Sequence, residues 1–428
     1  MEDSWQGSVG LRLPAVNRRT LFAASCVSLV TTSMSFAIRG DVAGAMAGAF
    51  HITNEQLGLV FSPAFWAFAI AIVMGGALVD LVGMRVLDAL SALGYIAGVL
   101  LVIGAPVPTG PVVSLFDHTG TTMLYAGFLI MGLSQGLVEA IINPLVVTLY
   151  SGEKIRRLAV LHAWWPGGQI IGGLVAVALT TIVDASWQVK LSTIMVPAVI
   201  YLAMAASQPY PATERVQSNV TTREMWREAV RPLFLVLFVC NAMTSAAELG
   251  PDQWFPKVMG DLVPGLQGVL FLVYTAGLMF GLRTFASGVS QMRPLGTLIV
   301  CSLMTFAGLV WLGSLEPGAT PFVAFVAATL FGIGKTYFVP TMLGVTSEQL
   351  PRGGAVLMSL MGAAGMLSVA FALPLMGATM DRYGGAAALQ MISWLGAVLA
   401  VVFAALWLYF QSRGGYRVVR LSGSPSGR

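Results

Sequence analysis

The chain has 428 residues, of which 57% are hydrophobic and only 10% are charged, against roughly a quarter charged in an ordinary soluble domain. Its formal charge of +4 comes from basic residues dispersed through short loops, which argues against nucleic acid as a partner. The three cysteines, Cys26, Cys240 and Cys301, are far apart within apolar segments, so neither a disulfide framework nor a metal cluster is indicated.

Twelve apolar segments, each long enough to cross a bilayer, follow one another along the chain. They lack the alternation of a β-barrel, and backbone groups in hydrocarbon must be satisfied internally, so we expect twelve transmembrane helices. The first segment is too long for a signal-peptide core and is expected to be retained. The predicted extents are 20–48, 56–79, 86–105, 121–149, 157–183, 187–207, 231–256, 265–285, 295–315, 319–347, 354–379 and 386–411.

Basic residues concentrate on one side of these segments, and the other side holds only Lys190, Lys257 and Arg382. The basic side has Arg12, Arg18, Arg19, Arg85, Lys154, Arg156, Arg157, Arg215, Arg223, Arg227, Arg231, Arg283, Arg293, Arg352, Arg413, Arg417, Arg420 and Arg428. The positive-inside rule predicts an inner-membrane protein with both termini cytosolic. We expect a cytosolic segment 1–19, a six-helix bundle 20–207, a cytosolic linker 208–230, a second six-helix bundle 231–411 and a cytosolic tail 412–428.

The two halves share an internal repeat. Four positions recur at one fixed offset: Gly136, Glu139, Pro144 and Arg156 reappear as Gly332, Lys335, Pro340 and Arg352. Such a repeat predicts a duplicated six-helix unit with a substrate site between the halves near the bilayer midplane.

Ionisable residues lie inside the first, fourth, seventh and tenth segments: Arg39 with Asp41, Glu139, Glu248, and Lys335. A charge at bilayer depth costs a few kcal/mol or more unless it faces a bundle interior or a wet cavity. Such residues mark a binding site or an ion pathway, so the pattern predicts a transporter.

The fourth segment has a polar stripe, because Gln135, Glu139 and Asn143 are spaced by four residues. Pro144 removes a backbone donor and can kink this helix beside the stripe. Glu139 is predicted to load and release a proton or to bind substrate. The other interpretation is that Glu139 only pairs with Arg39 or Lys335 to hold the bundles together.

In the seventh segment Asn241, Glu248 and Asp252 fall near one helical face. Glu248 is expected either to bind substrate or to pair with Arg39 or Lys335. Asp252 lies near the outer end with Lys257, where we expect a solvated role.

The fifth segment places His162, Trp165 and Gln169 on one face. An indole offers a flat apolar surface to a sugar ring, while imidazole and amide groups offer hydrogen bonds. The other interpretation of Trp165 is a residue of the interfacial aromatic belt. No second histidine is placed to form a metal site with His162.

Gly76, Asp80, Gly83 and Arg85, between the second and third segments, resemble the signature loop of the major facilitator superfamily. This resemblance implies an all-α membrane protein of twelve helices in two pseudo-symmetric bundles, working by alternating access. It also implies a gating role for Asp80 and Arg85.

A narrower set of motifs resembles the fucose/galactose/glucose:proton symporter family. These motifs are the run 50–58, the segment 136–144, the spacing from Glu248 to Trp254, and the stretch from Pro340 through Arg352 to Gly384. In the fucose permease, acidic residues of the first and fourth helices are implicated in proton-coupled sugar transport. The resemblance implies proton coupling by Glu139, with Asp41 lying near the position of the first-helix acid.

Together these observations predict a monomeric, proton-coupled importer of a sugar or related polyol that is not an enzyme and needs no cofactor. The expected substrate-binding residues are Arg39, Gln135, Asn143, His162, Trp165, Gln169, Asn241, Glu248 and Lys335. A cavity with both acids and bases suits a neutral hydroxyl-rich solute, and an acidic sugar stays open through Arg39 and Lys335. The rival functions are an exporter of amphipathic metabolites or drugs, and a membrane receptor or scaffold with the same fold.

Overall fold

A computed structural model describes residues 17–150, 154–211, 222–286 and 293–419 of the chain. Within these ranges all regular structure is helical, with sixteen α-helices and one 3₁₀ turn, Pro351–Gly353. Four of the basic residues used for the orientation lie outside the described residues: Arg12, Arg215, Arg420 and Arg428. For four further residues only the backbone is described, and their side chains are not: Asp80, Lys154, Arg156 and Arg223.

Helices of the first half take up most of the chain before the linker. In chain order they are α1 (Arg18–Phe50), α2 (Asn54–Phe61), α3 (Pro63–Val82), α4 (Met84–Ile103), α5 (Thr119–Leu149), α6 (Lys154–Val183), α7 (Trp187–Ser192) and α8 (Met195–Ala206). The start of α2 has a capping box, in which Thr53 and Gln56 satisfy each other's backbone N–H groups.

The second half also has six spans, and the short helix α9 precedes them. Its helices are α9 (Thr222–Ala229), α10 (Pro232–Leu262), α11 (Val269–Phe285), α12 (Pro294–Leu312), α13 (Pro321–Lys335), α14 (Phe338–Gln349), α15 (Gly354–Tyr383) and α16 (Gly385–Ser412). Proline occupies the first turn of α3, α10, α12 and α13, where its missing N–H group leaves no hydrogen bond unmade.

Twelve spans emerge from these helices in the described residues. Eleven stretches are long and apolar enough to cross a membrane, and α11 is a shorter apolar helix of 17 residues. The second, sixth and tenth spans consist of two helices each, α2 with α3, α7 with α8, and α13 with α14. The tenth span is interrupted directly after Lys335, at Thr336 and Tyr337.

We name the two ends of the bundle by the chain. The terminal end is where α1 begins and α16 ends; the far end is where α1 ends, at Phe50. Because consecutive spans run in opposite directions, the junctions α3–α4 and α14–α15 lie at the terminal end. The junctions α1–α2 and α15–α16 lie at the far end.

The largest hydrophobic core cluster includes residues of both halves, and three pairs of spans pack closely across the halves. Close packing links α1 with α10, α2 and α3 with α15, and α6 with α11. The repeat residues hold equivalent positions: Gly136 of the fourth span packs against Phe68 of the second span, and Gly332 of the tenth packs against Thr275 of the eighth. Small residues at these contacts let the helix backbones approach closely.

The far end is closed by direct contact between the halves. A Cβ atom at Gly58 would lie 2.6 Å from Cα of Pro374, so only glycine allows α2 to approach α15 this closely. Two turns further along α15, Asp381 accepts hydrogen bonds from the backbone N–H groups of Asn54 and Glu55, at 3.0 and 2.8 Å. Residues of one half therefore bind the N-terminus of a helix in the other.

At the terminal end, chain segments that follow the spans fold back onto helix ends. Arg85 donates to the Ala206 carbonyl at 2.5 Å, and Tyr210 donates to the Asp88 carboxylate at 2.6 Å. Burial, together with the nearby Asp88 charge, raises the pKa of the Tyr210 hydroxyl, which keeps it protonated as a donor. In the second half Tyr416 donates to Glu348 at 2.7 Å in the same manner.

Candidate functional site

A hydrogen-bonded chain of three side chains runs along α5 to α6. Asn143 donates to the Glu139 carboxylate at 3.1 Å, and its oxygen lies 2.9 Å from His162 Nε2. Glu139 and Asn143 are half-buried, and His162 is exposed. The polar stripe predicted on the fourth span is thus present, and it ends at an accessible imidazole.

The stripe lies on a helix that is not packed closely against the second half. None of the close helix packings among the described residues joins α5 to a helix of the second half. His162 lies eight residues inside the terminal end of α6, about 12 Å along the helix axis. The exposed imidazole therefore lies nearer the terminal end of α6 than its far end.

Closer to the far end than this stripe, polar side chains of α5 and α4 form hydrogen bonds with side chains of α1. Gln135 donates to the Ser35 hydroxyl at 2.8 Å, and Tyr95 donates to Thr32 at 2.8 Å. All four side chains are buried. The Gln135 oxygen has no hydrogen-bond partner, so this amide is only half satisfied.

Arg39 links the two halves at the core. Its Nε donates to Gln253 Oε1 at 2.7 Å, and Gln253 in turn donates to the Phe36 carbonyl at 3.1 Å. The guanidinium carbon lies 4.7 Å from the ring centroids of both Phe36 and Phe65. Sequence reasoning identified Arg39 but offered only acids as partners; the observed partners are an amide and aromatic rings.

Lys335 forms a buried ion pair with Asp252. The Lys335 ammonium lies 2.5 and 2.7 Å from the two carboxylate oxygens, and both side chains are at most 1% exposed. The expected solvated role of Asp252 is therefore wrong. The helix α10 continues to Leu262, six residues beyond its predicted end at 256, so Asp252 lies well inside the span.

Glu248 is paired with Arg283 of the eighth span. One Glu248 oxygen lies 4.0 Å from Arg283 Nη2, and the Arg283 Nε donates to the Thr336 carbonyl at 2.8 Å. That carbonyl lies where the tenth span is interrupted. Sequence reasoning counted Arg283 only among the basic residues at the span ends; the structure places it in the last turn of α11, where its side chain reaches Glu248.

Asp41 lies apart from Glu139. It accepts from Lys190 of α7 at 2.8 Å, and the two side chains are 10% and 13% exposed. Since α7 is at the far end, this pair lies on the closed side of the bundle. The structure thus does not bring together the two acids predicted to couple protons, and the role of Asp41 stays a prediction.

The predicted aromatic platform of the fifth span faces α1. The Trp165 ring lies 5.1 Å from that of Phe36 in an edge-to-face arrangement, and Trp165 is only half-buried. One turn further, Gln169 is buried with an unpartnered oxygen. In the seventh span Asn241 donates to the Met361 carbonyl at 2.7 Å and keeps its own oxygen unpartnered.

Unsatisfied polar atoms therefore gather on the helices that line the interface. Buried side-chain atoms without a hydrogen-bond partner on α1, α5, α6 and α10 are Arg39 Nη1 and Nη2, Gln135 Oε1, Gln169 Oε1, Asn241 Oδ1, Glu248 Oε2 and Trp254 Nε1. Each such atom costs about 1–3 kcal/mol when it stays unpaired. Of these residues only Trp254 was absent from the predicted binding set; its sequence signal was its position next to Gln253 and two residues after Asp252.

The predicted gating pair is described only in part. The backbone of Asp80 lies in the last turn of α3, and its side chain is outside the described residues. Arg85 bonds to the last turn of α8, within its own half. This contact between a cation and a helix C-terminus is electrostatically favourable.

Solved structures with a similar fold include several transporters. The xylose transporter XylE from E. coli, in a partially occluded inward open conformation, aligns at a TM-score of 0.73 with 14% identity, covering 91% of this chain and 97% of its own. A variant of the nucleoside transporter NupG aligns at 0.73 with 12% identity, covering 91% and 100%. A variant of the peptide transporter POT aligns at 0.71 with 13% identity, covering 93% and 95%.

Identities this low establish the fold and nothing about the solute. No curated protein sequence matches the chain. The sequence model of the Major Facilitator Superfamily, in contrast, matches residues 20–356. This match and the shared twelve-span fold confirm the predicted resemblance and fold class, and indicate a transporter rather than an enzyme. The chain belongs to the Major Facilitator Superfamily.

Proposed function

We propose that the protein imports a sugar or related polyol together with protons, by alternating access. The observation that carries the proposal is the chain from Glu139 through Asn143 to the exposed His162. Glu139 forms no ion pair within the described part of the chain. A carboxyl at this depth without a cation crosses the bilayer at lower cost when it is neutral, which favours a protonated carrier.

The solute class follows from the unpartnered polar atoms. Amide oxygens of Gln135 and Gln169 accept hydrogen bonds, and the Trp254 indole donates one. A hydroxyl both donates and accepts, so a polyol satisfies this mixed set of groups without itself being charged. The half-buried Trp165 offers an apolar face for the carbon skeleton of a sugar ring. An exporter of amphipathic compounds would favour a more apolar lining.

We place both chain termini in the cytosol of a bacterial-type cell, with the protein in the inner membrane. Most basic residues flank the terminal end, as the positive-inside rule requires of the cytosolic side. Two of the three far-end cations have local partners, since Lys190 pairs with Asp41 and Lys257 donates to Asn54. With this orientation the end that is held closed by Asp381 and Gly58 faces outward.

The test is uptake into proteoliposomes under an imposed pH gradient, with labelled D-glucose, D-galactose, L-fucose, D-xylose and D-glucitol. Glu139→Gln keeps size and hydrogen bonding but cannot ionise, so it imitates a permanently protonated carboxyl. We expect this variant to bind and exchange the solute, because exchange does not require the empty carrier to release a proton. Gradient-driven accumulation should disappear. Glu316→Gln, on an exposed far-end loop, is the matched control and should accumulate normally.

Uphill uptake by Glu139→Gln equal to that of the parent protein would refute proton coupling at this residue. Loss of binding together with transport would make Glu139 a substrate ligand first. Absence of uptake for every solute, with binding retained, would favour a receptor or scaffold. Movement of amphipathic compounds out of the cytosolic side would favour the exporter.

A further inference from the structure

The four carboxylates inside the first, fourth and seventh spans form ion pairs or hydrogen bonds with groups other than Arg39. In the described residues the pairs are Asp41 with Lys190, Asp252 with Lys335, Glu248 with Arg283, and Glu139 with Asn143. The guanidinium of Arg39 has no acidic partner among them. Its positive charge is therefore uncompensated by any ion pair in the described part of the bundle.

Arg39 is fully buried, with 0% of its surface exposed. Only its Nε is bonded, to Gln253, while Nη1 and Nη2 have no partner. The rings of Phe36 and Phe65 cover the cation and offset part of its charge. Ring faces are weak acceptors for the N–H groups, however, so the two terminal nitrogens still require an oxygen acceptor.

The two unpartnered terminal nitrogens of Arg39 are suited to bind a carboxylate group. Two adjacent N–H donors of a guanidinium bind the two oxygens of a carboxylate in a planar, bidentate contact. Hydroxyl groups satisfy single N–H donors but leave the charge unpaired. Arg39 bonds across the interface between the halves, and Gln135, which has an unpartnered oxygen, bonds to Ser35 one turn away on α1.

We propose that the transported solute is an acidic sugar derivative, a uronate or aldonate, whose carboxylate binds Arg39. This inference rests on the proposed transport function and narrows its substrate class. The hydroxyl groups of the solute then bond to the neighbouring amides, and its single negative charge neutralises the Arg39 cation.

The charges imply a specific coupling. A neutral, protonated Glu139 and an Arg39–carboxylate pair leave the loaded carrier with no added net charge. One proton and one monoanionic solute move together, so transport is electroneutral. A membrane potential alone, imposed with potassium and valinomycin at equal pH, should not drive accumulation of the acid.

The experiment compares matched pairs of ligands that differ mainly in charge: D-glucuronate against D-glucose, and D-gluconate against D-glucitol. Affinity is measured calorimetrically with the purified full-length protein. We expect each acid to bind at least about tenfold more tightly than its neutral partner, which is the range of one bidentate charge-assisted contact. Arg39→Gln should remove this preference, and Arg39→Lys should retain part of it. Arg413→Gln, a cation at the exposed terminal end, is the control and should bind as the parent does.

Equal or tighter binding of the neutral partners would overturn the acidic substrate and leave sugar transport standing. Preference for the acids that persists in Arg39→Gln would overturn the assignment to Arg39. Accumulation of the acid driven by membrane potential alone would overturn the electroneutral coupling. If no member of either pair binds, both this inference and the proposed sugar transport fail. If Arg39→Gln does not fold, Arg39→Lys decides, because loss of the planar fork should still weaken acid binding several-fold and leave binding of the neutral partners unchanged.

Discussion

The buried pair of Lys335 and Asp252 offers the sharpest test of how the second half is stabilised. Both side chains are at most 1% exposed, and the ammonium contacts both carboxylate oxygens. Lys335→Met removes the cation and leaves a buried, unpaired carboxylate. Breaking a buried pair in this manner costs about 3–5 kcal/mol. Removal of both partners in the double variant Lys335→Met/Asp252→Leu should restore most of the stability, because no charge then stays unpaired.

This loss of unfolding free energy can be measured as a lower unfolding temperature. Extrapolated to a chain of 428 residues, 1 kcal/mol corresponds to about 1–2 °C in unfolding temperature. The single variant should then unfold roughly 3–10 °C lower than the parent protein. The three free cysteines, Cys26, Cys240 and Cys301, are buried, so a thiol-reactive fluorescent dye reports unfolding in detergent directly.

The matched control for this experiment is Arg413→Met. The Arg413 side chain is exposed, and its guanidinium carbon lies 4.6 Å from the Tyr409 ring centroid. An exposed cation–π contact contributes about 0.5–1 kcal/mol, so Arg413→Met should shift the unfolding temperature by no more than about 2 °C. A shift for Lys335→Met no larger than that of the control, or a double variant as unstable as the single one, would refute the argument.

Three further predictions concern the gates. Asp381→Ala removes the acceptor for the N-terminus of α2, so it should increase labelling of Asn54→Cys from the far end by a membrane-impermeant maleimide; unchanged labelling would contradict the clamp. Gly58→Val forces a side chain against Pro374, so initial uptake should fall several-fold while protein yield is retained, and parent-like uptake would refute the need for close approach. Asp80→Asn should slow transport and leave solute affinity within a few-fold; a large loss of affinity at normal turnover would contradict gating.

Sequence patterns predicted those features of the structure that depend on a single helix. Apolar run length predicted the spans, and the spacing of Gln135, Glu139 and Asn143 predicted a polar stripe, in which the structure joins Glu139 and Asn143 by a hydrogen bond. The periodicity of a helix fixes which residues share a face, so predictions of this kind need no knowledge of neighbouring helices.

Contacts between side chains of different helices could not be predicted from the sequence in the same way. Which acid meets Lys335 depends on the end of α10, and apolarity falls before Pro256 although the helix continues to Leu262. Arg283 was counted only as a basic residue at the end of a span, yet its long side chain reaches back to Glu248. The interruption after Lys335 lies four residues before Pro340, which has no N–H group to donate to the Thr336 carbonyl; sequence reasoning used Pro340 only as a position of the repeat and of a family motif.

The N-terminus of α2 is capped twice, once by Asp381 of the other half and once from within its own half. This affects how easily the far end can open. In the closed state Asp381 binds the first N–H groups of α2 from the other half. The capping box of Thr53 and Gln56 satisfies further N–H groups at the same terminus from within the helix. An N-terminal cap contributes about 1 kcal/mol, so separation of the halves removes only a supplementary cap and does not unravel the helix. Water can hydrate Asp381 once it is released. The far end can thus be held shut by a polar contact that is directional but inexpensive to break, as a carrier that cycles repeatedly requires.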